Sequence, residues 1–371
     1  MKLLLTCGGT AGHVYPAVAL ARVFQRHYQD CQVLFVGADG GMELKLVAQE
    51  GYPIATVTIS NFRRSLSPKQ WGHNLKSAWN VVHSRRQAAG ILKDFSPDLV
   101  VGTGGYASFP AVRQAARMGI PTAIHESNAS PGLTTRTLAK YVDLVMVGFE
   151  EAVKSYEDPS KVKVTGTPVR PDFFALTRQQ ARAKLGLTDD RPVVLSFWGS
   201  LGASVMNREM LDFMACWREE DMPFHHIHGA GRDYETMRQG LSGRGLDPKD
   251  FDLRQYIYDM PTVMAAADLV LCRAGASTLS ELTATGKPAI LVPSPNVTAN
   301  HQFKNAKVLS DRGGALLVEE KDCSGQKLYG MVQELLADGA GRDRMSQAQL
   351  SLAVPTAAED IYQALMKRMG H

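Results

Sequence analysis

No apolar run in the 371 residues approaches the ~18 needed to span a bilayer. Met1-Lys2-Leu3-Leu4-Leu5 opens like a secretion signal, but polar Thr6 and the glycines Gly8 and Gly9 end the run well short of a signal core. The chain is therefore expected to stay in the cytosol. Cysteine is scarce: Cys7, Cys31, Cys216, Cys272 and Cys323 are odd in number and far apart, which argues against a disulfide framework or a zinc site and for reduced core residues. His225, His226 and His228 look like a metal cluster, yet alternate strand residues face opposite ways and no acid or cysteine lies beside them. No metal and no cofactor are expected. A dinucleotide fingerprint is missing as well, because G-x-G-x-x-G requires glycine where Cys7 stands; Asp39 alone keeps an NAD-dependent oxidoreductase as an alternative.

Acid is the next gap. The net charge is only +4, but between Gly51 and His125 the only acids are Asp94 and Asp98, against Arg63, Arg64, Lys69, Lys76, Arg85, Arg86, Lys93, Arg113 and Arg117. So basic a face suits a phosphate-bearing surface.

What is present is a repeating pattern. Strand-like runs near 2–7, 32–37, 54–59, 98–103, 121–125, 143–148 and 162–165 alternate with helical stretches such as Pro16 to Tyr28. The pattern restarts after Pro192 with runs near 193–197, 224–228, 252–257, 268–272, 288–292 and 315–318. The fold class is α/β: two doubly wound, Rossmann-like domains facing a cleft. Gly166-Thr167-Pro168-Val169-Arg170-Pro171 is the natural hinge, giving domains 1–167 and 168–352, with the amphipathic tail 353–371 expected back on the first.

Four strand ends run into glycine loops that open helices. They are Gly8-Gly9-Thr10-Ala11-Gly12-His13, Gly102-Thr103-Gly104-Gly105-Tyr106, Trp198-Gly199-Ser200-Leu201-Gly202-Ala203, and Cys272-Arg273-Ala274-Gly275-Ala276-Ser277-Thr278 leading to Glu281. Such loops let backbone approach a ligand, and the free N–H groups and dipole of the new helix favour a phosphate. Glu281, one turn in, can accept two ribose hydroxyls; alternatively Thr278 and Glu281 form an S/T-x-x-E capping box. His13 stands at the mouth of its helix, where an imidazole is expected to take a proton. The only Asp-x-Asp of the kind used in metal-dependent sugar transfer, Asp250-Phe251-Asp252, lies at the start of a strand, away from ligand-binding ends.

These loops, with His125-Glu126-Ser127-Asn128, Gly166-Thr167-Pro168-Val169-Arg170 and His301-Gln302, stand in an order and at a spacing that resemble the MurG family over nearly the whole chain. Those bacterial transferases move N-acetylglucosamine from UDP-N-acetylglucosamine to the undecaprenyl-pyrophosphoryl muramyl pentapeptide (lipid I), giving lipid II. The resemblance implies a GT-B fold and an inverting, metal-independent reaction. It implies that Ile257 holds uracil through its backbone, Glu281 the ribose, and Ser200 with Thr278 the phosphates. Arg273 would face the nucleotide; Ala276, Ser277, His301 and Gln302 would surround the sugar; Thr10, Gly12, Asn128 and Arg170 would complete the donor side. His13 is the candidate base and Glu126 a second catalytic candidate, with Gly104, Gly105 and Tyr106 as acceptor loop. Trp198, Leu201, Ser277 and Phe109 depart from the usual residues. A transferase on another lipid acceptor is the nearer alternative.

A lipid acceptor implies a protein resting peripherally on the cytoplasmic face of the cell membrane. Trp71, Leu75 and Trp79 fall four apart, one helix face, and with Leu66, Arg63 and Arg64 form the expected contact with anionic lipid. No nucleic acid partner is expected.

Overall fold

A computed structural model of the protein describes residues 1–59, 83–199 and 202–370. The chain divides into two units, Met1–Arg170 with Val354–His371, and Pro171–Ala353.

In the first unit Leu3, Leu4 and Leu5 are wholly buried, so their strand is covered on both faces. That is the signature of a parallel sheet packed between helix layers. Strands β1 (Lys2–Thr6), β2 (Gln32–Ala38), β3 (Ile54–Val57), β4 (Leu99–Gly102), β5 (Thr122–Glu126), β6 (Leu144–Val147) and β7 (Val162–Val164) pair in the order β3-β2-β1-β4-β5-β6-β7. All these ladders are parallel. The helices are α1 (Ala11–His27), α2 (Glu43–Gln49), α3 (residues 83–95), α4 (Ser108–Arg117) and α5 (Leu133–Leu138). Helix α1 begins at Ala11, well before the expected Pro16, which lies inside it. The missing Pro16 N–H falls in the second turn, where it costs one bond to the Gly12 carbonyl and leaves the helix intact.

The second unit repeats the design. Its helices α6 (Arg178–Lys184), α7 (Ser204–Glu219), α8 (Tyr234–Ser242), α9 (Met260–Ala266), α10 (Ala276–Thr285), α11 (His301–Asp311), α12 (Gly325–Ala337) and α13 (Gly339–Leu350) flank a second sheet. Strands β8 (Val193–Phe197), β9 (His225–Gly229), β10 (Asp252–Arg254), β11 (Leu269–Cys272), β12 (Ala289–Leu291) and β13 (Ala315–Leu317) pair as β10-β9-β8-β11-β12-β13, again parallel. Both sheets reverse direction once, between β1 and β4 and between β8 and β11. Ligands of open parallel sheets bind beyond the strand ends at such a reversal.

The last helix, α14 (Ala357–Met369), packs on α1 in the first unit. Tyr362 stacks on His27 with centroids 4.0 Å apart and meets Phe24 edge-on at 5.0 Å. Ile361, Tyr362, Leu365 and Met366 join the cluster under β1, each contributing about 1.5–3 kcal/mol by burial.

Candidate active site

The loops after β1 and β4 interlock in the first unit. Gly105 has φ +80°, and a Cβ there would stand 2.1 Å from the Gly8 carbonyl oxygen, so only glycine permits this approach. Ser108 Oγ ties the pair by donating to the Thr6 carbonyl at 3.0 Å and the Gly104 carbonyl at 2.6 Å. Thr103 Oγ1 donates to the His13 carbonyl at 2.6 Å. His13 is thereby fixed in the first turn of α1, with Thr10 as N-cap.

His13 Nδ1 lies 2.7 Å from the Gly8 carbonyl oxygen. A carbonyl only accepts, so Nδ1 carries the proton and the Nε2 lone pair is left for chemistry. Thr10 Oγ1 approaches the same Nδ1 at 3.3 Å. The ring edge carrying Nε2 fits against Gly104, where a Cβ would come within 3.0 Å of Nε2. Tyr106 belongs to the same cluster: a Cβ on Gly9 would sit 3.6 Å from its ring. Burial and, after it, the Glu43 carboxylate push the Tyr106 phenol up, so it stays a neutral donor. Arg170 lies over the Tyr15 ring at 4.5 Å, on α1.

Glu126 ends β5 and is buried. Its Oε1 accepts from the Asn128 backbone N–H at 3.0 Å and from Asn128 Nδ2 at 2.8 Å, while Oε2 accepts from the Gly132 N–H at 3.0 Å. A buried carboxylate with those partners shapes the loop after β5 and presents Asn128. His125 is also structural, donating from Nε2 to the Gly166 carbonyl at 2.9 Å. Burial holds it below the usual histidine range and therefore neutral.

In the second unit β8 and β11 end side by side at the other reversal. Helix α10 starts at Ala276 with Gly275 as N-cap and no side-chain cap hydrogen bond. The capping box does not form, because Thr278 lies inside the first turn rather than at the N-cap. The opening N–H groups are left without a side-chain cap, as anion binding requires. Ser277, Thr278 and Glu281 are half-buried on this helix, and Ala276 is buried. Asn305 Nδ2 donates to the Ala274 carbonyl at 3.2 Å and sets the loop. Ile257 packs over Gly229, where a Cβ would meet its side chain at 3.1 Å. Gln302 Oε1 accepts from the Ser294 N–H at 2.8 Å, and His301 Nδ1 donates to the Thr298 carbonyl at 2.9 Å after left-handed Ala299 and Asn300.

Arg273 is buried. Its Nη1 donates to the carbonyls of Val292 at 3.0 Å and Pro293 at 3.2 Å, and its Nη2 pairs with Glu320. The guanidinium therefore clamps the ends of β11 and β12. Trp198 is buried in the core of this unit, 5.9 Å from Arg273 Cζ. Ser200 and Leu201, like Arg63, Arg64, Leu66, Trp71, Leu75 and Trp79, lie outside the described residues.

Sequence reasoning missed one buried group and the structural role of another. Glu43 is wholly buried beneath the Gly8–Gly9 loop. The only hint is an acid just after Gly37, Gly40 and Gly41. His226 and His228 share one face of β9, where Ser196 Oγ lies 2.8 Å from His226 Nε2 and 2.7 Å from His228 Nδ1. His228 Nε2 reaches Asn207 Oδ1 at 3.2 Å, and Asn207 Nδ2 donates to the Ala230 carbonyl at 2.8 Å and to Asp233 at 2.9 Å. The pair is thus part of a polar chain supporting the loop at Gly202. Two cavities, one bounded by Pro97, Asp98 and Met366, the other by Tyr141, Asp143 and Arg368, lie at the opposite, N-terminal edge of the first sheet.

Two Rossmann-like parallel sheets with glycine loops at both reversals are the architecture of a GT-B glycosyltransferase. The crystal structure of Acinetobacter baumannii MurG matches with a TM-score of 0.73 at 26% identity, covering 99% of both chains. The calicheamicin glycosyltransferase CalG4 matches in fold at a TM-score of 0.66 and 19% identity, covering 99% of this chain and 98% of its own. The model of the glycosyltransferase family 28 N-terminal domain matches residues 3–147, and that of the C-terminal domain residues 193–361. An Acetivibrio thermocellus protein named UDP-N-acetylglucosamine--N-acetylmuramyl-(pentapeptide) pyrophosphoryl-undecaprenol N-acetylglucosamine transferase is 39% identical over 366 residues, 98% of this chain and 97% of its own. The chain belongs to glycosyltransferase family 28.

Proposed function

We propose that this chain transfers N-acetylglucosamine from UDP-N-acetylglucosamine to lipid I, forming lipid II with inversion at the anomeric carbon. The reading is carried by similarity along 98% of the chain to a transferase named for that reaction. The chemistry the site offers agrees with it. The acceptor hydroxyl hydrogen-bonds to His13 Nε2, which takes its proton as the oxygen attacks the sugar's anomeric carbon. The bond to the diphosphate breaks, and both its electrons leave with UDP. A positioned base of this kind contributes about 10²- to 10⁴-fold in rate. Charge developing on the diphosphate is met by the uncapped N–H groups of α10, with the Thr278 and Ser200 hydroxyls; one such donor is worth about 3–4 kcal/mol in the transition state. No step requires a metal or cofactor.

On this reading the second unit binds the donor, with Ile257 at uracil, Glu281 at the ribose, and Ala276, Ser277, His301 and Gln302 around the sugar. Thr10, Gly12, Asn128 and Arg170 complete the donor contacts. The first unit serves the acceptor through Gly104, Gly105 and Tyr106, and meets anionic lipid at the cytoplasmic face of the membrane through the basic segment with Trp71, Leu75 and Trp79. The sequence pattern of that segment supports the attachment. No helix among the described residues is long and apolar enough to cross a membrane. The direct test incubates the protein with radiolabelled UDP-N-acetylglucosamine and lipid I and then extracts lipid. Label in the lipid phase is the expected result, and none there while UDP still binds overturns the proposal.

A further inference from the structure

The Gly8–Gly9 peptide group has a side chain at each end. Its carbonyl oxygen accepts from His13 Nδ1 at 2.7 Å. Its N–H donates to Glu43 Oε2 at 3.2 Å. Glu43 Oε1 in turn accepts from the Ala38 N–H at 2.8 Å, so the carboxylate ties the β1 loop to the end of β2. Carboxylate, amide and imidazole thus form one hydrogen-bonded line, and bonds in such a line polarise one another.

The surroundings are shaped for this carboxylate. A Cβ on Gly8 would stand 2.8 Å from Glu43 Oε1, one on Gly37 2.6 Å from its Cγ, and one on Gly41 2.4 Å from its carboxyl group. Burying an acid in so tight a space is costly unless its oxygens are bonded, and α2 could be anchored by an apolar residue without that cost. Its charge also reaches neighbours of the site: after burial itself, Glu43 is the next cause raising the Tyr106 phenol and the Cys7 thiol.

We propose that Glu43 is a positioning residue for the transfer reaction: by fixing the Gly8–Gly9 plane it keeps the Gly8 carbonyl on His13 Nδ1, so that Nε2 is the unprotonated nitrogen facing the acceptor. This rests on the reading of His13 as the base. Glu43 touches no reacting atom and acts only through the peptide. Glutamine in its place keeps the shape but offers one oxygen and an NH₂ to two backbone donors, so one N–H meets an N–H and the peptide is released. Aspartate keeps the charge but retracts it by one methylene.

The full-length protein carrying Glu43→Gln should lose about tenfold to a hundredfold in kcat while KM for UDP-N-acetylglucosamine stays within about twofold. Nitrogen-15 NMR of labelled histidine, with His13 assigned from the spectrum of His13→Ala, should show the Nδ1–H tautomer in the unaltered protein and an Nε2–H population in Glu43→Gln. Glu43→Asp should lie between the two in both readouts. An Nε2–H tautomer in the unaltered protein overturns the proposal whether or not the variants fold. So does wild-type kcat in Glu43→Gln, or a loss of kcat with the tautomer unmoved, which would leave Glu43 a fold determinant only. If His13→Ala keeps full turnover, the base reading fails, while a tautomer shift in Glu43→Gln would still report the peptide link.

Discussion

Replacing Gly105 with alanine tests how the two glycine loops of the first unit serve the reaction. The residue sits at φ +80°, and the new Cβ would stand 2.1 Å from the Gly8 carbonyl oxygen. A left-handed backbone costs a non-glycine residue about 1–3 kcal/mol. Carbon and oxygen approach no closer than ~3.3 Å, so the loops must part by roughly 1.2 Å. The oxygen displaced is the one bonded to His13 Nδ1. Misplacing a catalytic group by that distance costs about a hundredfold in rate, about 2.7 kcal/mol of barrier. Strain and overpacking together should destabilise the first unit by about 3 kcal/mol, lowering its unfolding midpoint by about 6–12 °C. The assay is turnover with labelled donor, beside UDP calorimetry and a thermal scan. We expect kcat to fall about a hundredfold with UDP affinity unchanged. An unchanged kcat and midpoint would refute the close approach, and a parallel loss of UDP affinity would refute the assignment of the uracil, ribose and phosphate contacts to the second unit.

Glu281→Gln should weaken UDP binding about tenfold to a hundredfold, since a charged acceptor to hydroxyls is worth about 1.5–3 kcal/mol; equal calorimetric affinities would remove Glu281 from the ribose. Arg273→Leu strands the half-buried Glu320 carboxylate and should cost the second unit up to about 3 kcal/mol, part of it recovered by adding Glu320→Leu; a single variant as stable as wild type would show the clamp to be idle. Burial lowers His228 from 6.5 to about 3 and His226 well below its usual range. The unfolded chain then binds more protons in that window, so the stability of the second unit is full above 6.5 and declines as pH falls towards 3. Thermal scans across it should show this slope and its flattening in His228→Gln, and a flat wild-type profile would contradict the neutral chain through Ser196. Trp71→Ser with Trp79→Ser should reduce sedimentation with anionic vesicles at low salt while sparing UDP affinity, whereas unfolding with loss of UDP binding would make the stripe core.

The fold was legible because parallel strands buried on both faces are written as uninterrupted apolar runs, Leu3 to Leu5 and Leu269 to Leu271 among them, each stopped by a glycine loop. Periodicity could not place the start of α1, since Ala11 and Gly12 are not apolar markers and Pro16 looks like a beginning. The open end of α10 was legible through Gly275, but the pattern from Thr278 to Glu281 equally spelled a cap, and only the position of the N-cap separates the two. Side-chain direction was beyond reach. Arg273 turns to the carbonyls of Val292 and Pro293, and Glu126 to the amides of Asn128 and Gly132, partners that carry no signature in the sequence. Glu43 was hidden for the same reason: its partners are the N–H groups of Gly9 and Ala38.

The most direct test offers the protein lipid I and diacylglycerol together with radiolabelled UDP-N-acetylglucosamine and separates the labelled lipids. The account predicts that essentially all transferred label appears in lipid II and that the label disappears in His13→Ala. Label on diacylglycerol, or on neither lipid while UDP binds normally, would contradict it.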